Sequence, residues 1–190
     1  LIIENSASCQ LTLSSEDSIQ VREIIVDAGN NNAICYGDSI IVTVNGNGTI
    51  YLWDNSPYIT DLNSFAPVMF PTNSTMFYVT SSDGICFARD SVLIEVQDLE
   101  ADFVSSVVSS NCPPLISTFT NQSSGNIVNY IWGFGDGQTS NQSDPSHLYT
   151  YSDAFDVQLI VEDDFACTDT LILVDLISIF GPTGDFTFTE

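Results

Sequence analysis

Any chemistry in this chain has to come mainly from carboxylates. Its 190 residues hold 25 Asp and Glu against two basic side chains, Arg22 and Arg89, and a single histidine, His147. Five cysteines complete the reactive set: Cys9, Cys35, Cys86, Cys112 and Cys167. Paired acids can act as general acid and base, or hold a hard cation through their oxygens. One histidine cannot assemble a zinc site or a nucleophile–histidine relay with any redundancy. There is no lysine, which excludes a P-loop and Schiff-base chemistry. A formal charge of −23 with only two arginines excludes nucleic acid as a partner and works against an acidic membrane surface. No cleft-forming insertion or activated nucleophile accompanies the acids, so the chain reads as non-catalytic.

The elements that must position these residues read as strands. Apolar residues alternate or cluster in short runs, such as Ile40–Val44, Phe77–Thr80, Val92–Val96, Val157–Val161 and Leu171–Val174. These runs are rich in β-branched and aromatic residues and are bounded by Gly, Asn, Asp, Ser or Pro. No segment of helical length shows a 3.6-residue period, and none has the length of a membrane-spanning helix. The expected fold class is all-β, built as β-sandwiches. The opening Leu1-Ile2-Ile3-Glu4 has neither an initiating Met nor a basic start, which reads as mature or internal material from a larger protein.

A repeated terminus divides the chain. Asp17-Ser18-Ile19, Asp90-Ser91-Val92 and Asp169-Thr170-Leu171 each follow a cysteine and open an apolar run, as a module's closing strand would. Ala101-Asp102-Phe103 and Gly184-Asp185-Phe186 echo each other as opening strands. The expected pieces are the end of a preceding module (1–26), a complete module (27–97), a second (98–180) and the start of another (181–190), as in a tandem array. Four cysteines allow three pairings. Pairing within modules, Cys35 with Cys86 and Cys112 with Cys167, lets each sandwich fold alone, and Cys9 is then expected to bond a partner upstream. Each such bridge closes a loop of roughly 50 residues, worth on the order of 4 kcal/mol in the chain-entropy model. Bridges imply an oxidising compartment outside the cytoplasm, whereas five buried thiols are the alternative.

The second module runs Phe119-Thr-Asn121-Gln-Ser123-Ser-Gly125, Tyr130-Ile-Trp132-Gly133-Phe134-Gly135-Asp136-Gly137, Pro145-Ser-His147-Leu-Tyr149 and Phe155-Asp-Val157-Gln-Leu159. It resembles the PKD domain, an Ig-like sandwich marked by W-D-F-G-D-G and P-x-H-x-Y, with Gly133 standing where that family has its first Asp. The residues agree with the resemblance. Trp132 and Phe134 lie two apart on one strand face, Gly135 and Gly137 supply turn conformations, and His147 and Tyr149 share a face. The first module, with Cys35-Tyr-Gly37-Asp38-Ser39, Tyr51-Leu-Trp53 and Asp83-Gly84-Ile-Cys86, is similar to Ig-like domains repeated in giant surface proteins of Bacteroidota, gliding-motility adhesins among them. That resemblance implies type IX export and display at the cell surface. It also implies that Trp53 and Trp132 pack against their modules' disulfides, and it makes Ser18, Ser39, Ser91 and Thr170 candidate O-glycosylation sites. A polar turn before a strand is the alternative reading of those four.

The acids are unevenly spread, with twelve and no Lys or Arg over residues 98–176. An Ig-like topology brings Asp98, Glu100 and Asp102 toward Glu162, Asp163 and Asp164. Such a cluster either binds calcium at a module junction or is a solvated acidic face that keeps an array soluble. The leading expectation for function is a structural stalk segment of a secreted adhesin or filament, mediating adhesion or gliding, with neighbouring modules as partners. The alternatives are a glycan- or protein-binding module using Tyr51, Tyr58, Phe65 or Phe70, and an accessory region of a secreted hydrolase.

Overall fold

The computed structural model describes residues 2–4, 10–12 and 23–181. The chain divides into two compact units at Gln97 and Asp98. Among the described residues there are strands and turns and no helix, so the protein is all-β, and each unit carries its own sandwich.

In the first unit, β1 (Ile2–Glu4) pairs with β2 (Gln10–Thr12). The sandwich follows. β3 (Val26–Asp27) precedes β4 (Asn32–Cys35) and β5 (Ile40–Ile41), and β6 (Asn45–Gly46) and β7 (Ile50–Trp53) come next. After β8 (Val68–Met69), a long hairpin of β9 (Thr75–Ser82) and β10 (Phe87–Gln97) closes the module. One sheet has the order β4-β10-β9-β7, and the pairs β3–β6 and β5–β8 make up the facing layer. Trp53, Phe77, Val79, Val92 and Ile94 from the sheet meet Val42, Val44 and Met69 in one buried cluster. Alternate residues point inward because successive side chains of a strand face opposite ways.

The second unit repeats the plan more fully. β11 (Phe103–Ser105), β13 (Leu115–Asn121) and β16 (Ser146–Tyr149) form one sheet. The other has the order β12-β18-β17-β14-β15, from β12 (Ser109–Ser110), β14 (Asn129–Gly133), β15 (Thr139–Ser140), β17 (Ala154–Glu162) and β18 (Thr168–Ile179). Phe103, Phe119, Tyr149, Trp132, Phe155, Val157, Leu159 and Val161 fill the space between them. The Asp-Ser/Thr repeat now acquires a physical role. Asp90 Oδ2 accepts the Ala28 amide and Asp169 Oδ2 accepts the Ala101 amide, each at 2.8 Å. Each last strand thereby holds the start of its module in place.

The same topology overturns the expected cysteine pairing. In the first unit β4 runs parallel to β10 with Cys35 opposite Gln97, while Cys86 precedes the other end of that 11-residue strand. In the second unit β12 pairs with Ser178 and Ile179 at the end of β18, and Cys167 precedes its start. At about 3.3 Å per residue these separations are on the order of 35 Å, against roughly 7 Å between Cα atoms at most for a disulfide. Cys35 and Cys167 are disulfide-bonded, Cys86 is buried, and Cys112 is an exposed free thiol. Cys9 and Ser18 lie outside the described residues, as do most of the terminal segments read as partial modules.

Removing the Asp169 carboxylate strands the amide of Ala101, a residue only 7% exposed. Asp169→Ala should therefore destabilise the second unit by about 1–3 kcal/mol, and Asp90→Ala should do the same to the first. Urea denaturation of the 190-residue chain measures both, and unchanged unfolding curves would show that these carboxylates clamp nothing.

Candidate functional site

The polar residues of the second unit's motif converge inside the sandwich. Trp132 faces inward next to the end of its strand, and its ring N–H donates to the Gln142 carbonyl at 2.8 Å. It packs edge-on against Phe103 at 5.0 Å and beside Phe119 at 5.7 Å. The chain then turns through Gly135 and Gly137, both at positive φ. A Cβ on Gly135 would lie 2.6 Å from the Asp156 carbonyl, at the bulge where β17 shifts register between Phe155 and Val157. The turn drops Asp136 onto His147. The His147 Nε2–H donates to Asp136 Oδ2 at 2.8 Å, with the two side chains 8% and 5% exposed. The His147 ring stacks on Phe134 at 4.1 Å and meets Tyr149 edge-on at 4.6 Å.

Burial by itself would raise the Asp136 carboxyl, but the Gln138 amide and the His147 ring outweigh it and hold its pKa below the ordinary carboxylate value. Tyr149 is pushed far upward by burial, with the Asp136 charge adding to it, and its hydroxyl is buried without a partner among the described residues. The pair is buried against the Phe134 and Tyr149 rings and is a packed structural centre. Trp53, 1% exposed, holds the equivalent place in the first unit, its ring N–H donating to the Ser64 carbonyl at 3.0 Å. Neither tryptophan depends on a disulfide within its own module, because the intramodular pairs do not form.

The acidic residues expected to share a calcium ion are put to separate uses. Asp163 is 2% exposed, and its Oδ1 accepts the amides of Phe165 and Cys167 at 2.9 Å, capping the β17–β18 turn. Glu162 accepts the Asn129 side-chain amide at 3.3 Å. Glu100 bridges to Ser124 through its backbone. Asp98, Asp102 and Asp164 are exposed. Among the described residues no group of three or more His, Cys, Asp or Glu could hold a metal ion. Of the candidate glycosylation sites, Ser39 and Thr170 are exposed and Ser91 is half-buried within β10. Tyr51 and Tyr58 pack against the first unit's core. Phe65 and Phe70 stay exposed, Phe70 edge-on to Tyr58 at 6.3 Å.

A surface missed in the sequence lies on the outer face of the five-stranded sheet. Ile131 stands opposite Ile160, and one register step along, Gln158 stands between Gly133 and Ile172. Ile131, Ile172 and Val174 are 43%, 52% and 70% exposed. At one end of this aliphatic strip, Asn129 and Glu162 border a shallow depression completed by Val128, Tyr130 and Asn141. At the other, Asp156 Oδ1 accepts the Asp175 amide at 2.8 Å. The available signal was that β14, β17 and β18 carry apolar residues on both faces, where a solvated sheet shows polar alternation on one. In the first unit, Ile50, Leu52, Met76, Tyr78 and Phe87 are likewise exposed, with Arg89 lying 4.7 Å above the Tyr78 ring and ion-paired to Asp54.

Two outcomes follow from the buried centre. Because the folded-state pKa of Asp136 is depressed, its contribution to stability is complete above about pH 4 and is lost as pH falls through the folded-state value. Asp136→Asn should therefore be less stable than wild type at pH 7, with the gap narrowing as pH falls below about 4 in urea titrations followed by tryptophan fluorescence. A gap independent of pH would contradict an ionised Asp136 carboxylate as the stabilising group. Tyr149→Phe should change stability at pH 7 by less than about 0.5 kcal/mol, since its hydroxyl makes no bond that would be lost; a loss above 1 kcal/mol would reveal a hidden partner.

The model for the PKD domain matches residues 100–174. The pre-pro-metalloprotease PrtV of Vibrio cholerae is 45% identical over 51 residues, which are 27% of this chain and 6% of that protein. The crystal structure of its PKD1 domain is 35% identical, covering 42% of this chain and 94% of that domain, with a TM-score of 0.37. Collagenase ColA of Bacillus cereus is 30% identical over 86 residues, 40% of this chain and 9% of that enzyme. The I67–I69 fragment of titin, 12% identical over 84% of this chain and 66% of that fragment with a TM-score of 0.51, shares the fold alone. The chain thus spans a small fraction of the length of these enzymes, and the relatives give no support to a Bacteroidota gliding adhesin. Over residues 100–174, with the Trp132, Asp136 and His147 centre described above, the chain matches the PKD domain family.

Proposed function

We propose that this chain is a non-catalytic accessory region of an extracellular hydrolase, in which the PKD domain docks along an extended protein or polysaccharide substrate. The observation that carries the reading is the outer sheet face. An aliphatic strip centred on Ile131, Ile172 and Val174 ends in amide and carboxylate groups at Asn129 and Glu162. An exposed apolar row running across neighbouring strands suits an extended chain better than a compact ligand, and exposed apolar surface of this kind is often an interaction site. The metalloprotease and collagenase relatives supply the class of parent, and the oxidised Cys35 and Cys167 fit an oxidising, extracellular setting.

A spacing role within a surface stalk is the second reading. It is favoured by the matching construction of the two sandwiches, with Asp90 and Asp169 performing one task at equivalent positions. Repeat units of this kind set reach and stiffness in tandem arrays.

Co-sedimentation of the 190-residue chain with fibrillar collagen, cellulose and chitin separates the two. Docking predicts binding to at least one matrix, reduced at least about fivefold, or roughly 1 kcal/mol, by Ile131→Ser combined with Ile172→Ser. Equal retention of the double variant would remove the sheet face from the mechanism. Absence of binding to all three would leave the spacer reading in its place.

A further inference from the structure

We propose that Cys112 is a covalent attachment point, joined by a disulfide to a cysteine of a further module and not to one of its own sandwich. Cys35 and Cys112 hold equivalent places. Each lies at or just beyond the C-terminal end of the short strand, β4 or β12, that runs parallel to the closing end of its module's last strand. Cys35 is disulfide-bonded, and the length of β10 keeps it from bonding its own module's hairpin cysteine. The position is therefore one at which this fold makes a disulfide that does not staple its own last strand. Cys112 repeats that position with an exposed thiol. Ser110 Oγ donates to the Cys112 carbonyl at 2.7 Å, which fixes the turn that presents it. The other cysteine of its unit, Cys167, lies at the far end of β18 and is already bonded.

The chemistry is thiol–disulfide exchange in the oxidising compartment. The Cys112 thiolate attacks a disulfide oxidant, either a thiol oxidoreductase or a small-molecule disulfide, and one oxidant sulfur leaves as a thiolate. The second cysteine's thiolate then displaces the remaining oxidant sulfur. Two protein thiols lose two protons and two electrons, and the oxidant's disulfide is reduced to two thiols. This inference is independent of the substrate-docking reading, since it concerns how modules are joined and not what they bind.

The test uses the full-length protein isolated from its source, with iodoacetamide added before lysis and no reductant. Digestion with chymotrypsin and glutamyl endopeptidase, followed by mass spectrometry, should find the Cys112 peptide disulfide-linked to a peptide from outside residues 98–190. An unchanged chain mass on a non-reducing gel assigns the partner to the same polypeptide, and a doubled mass assigns it to a second copy. Either supports the inference. Cys112→Ser should abolish the link while leaving the melting temperature of the 190-residue chain unchanged. Recovery of Cys112 alkylated, linked to Cys167, or capped by a small thiol would overturn it.

Discussion

The pairing of the last two strands, β9 with β10 and β17 with β18, is the interaction on which each sandwich is registered. These hairpins are the longest continuous ladders in their units, and the last strand of each carries three further attachments. It pairs in parallel with the short strand β4 or β12, offers an inward apolar row to the core, and aims Asp90 or Asp169 at the amide that opens the module. A buried amide must find an acceptor, and a carboxylate on a strand already fixed on both edges is a well-ordered one. The same arrangement places the cysteines at opposite ends of the last strand, so intramodular bridges are forbidden by length.

The two units solve the interior differently. In the second, a file of rings runs from Phe103 through Trp132, Phe119, Phe134 and His147 to Tyr149 and Phe155. The single histidine of the chain is accommodated within it because Asp136 accepts the hydrogen bond from its ring N–H. The turn at Gly135 exists to bring that carboxylate inward, pressed against the bulge at Asp156. Among the described residues the first unit has no such buried pair. Its tryptophan keeps the same backbone hydrogen bond, and aliphatic residues and Met69 occupy the facing layer.

The Asp136–His147 pair is buried within the second unit's sandwich, which leaves the sheet faces as the surfaces open to a partner. The outer sheet face of the PKD domain combines exposed aliphatic residues with a flanking amide and carboxylate, in a unit that has no lysine or arginine. Its field is uniformly negative, so a partner with basic or hydrogen-bond-donating groups is favoured over an anionic one.

Alternation of apolar residues and turn signals determined by themselves that the chain is all-β. The motifs at Trp132–Gly137 and Pro145–Tyr149 carried the resemblance to the PKD domain, and strand periodicity placed Trp132 with Phe134, and His147 with Tyr149, on shared faces whatever the tertiary context. What the sequence could not supply was any relation between residues far apart in the chain. The closeness of Cys35 to Gln97, the inward turn of Asp163, and the use of Asp90 and Asp169 as clamps all depend on which strand ends meet. A repeated Asp-Ser/Thr is as legible as a modification motif as it is as a hydrogen-bond acceptor, and cysteines spaced alike look alike paired. Only the strand register, which sets distances of tens of ångströms that local pattern does not encode, decided between them.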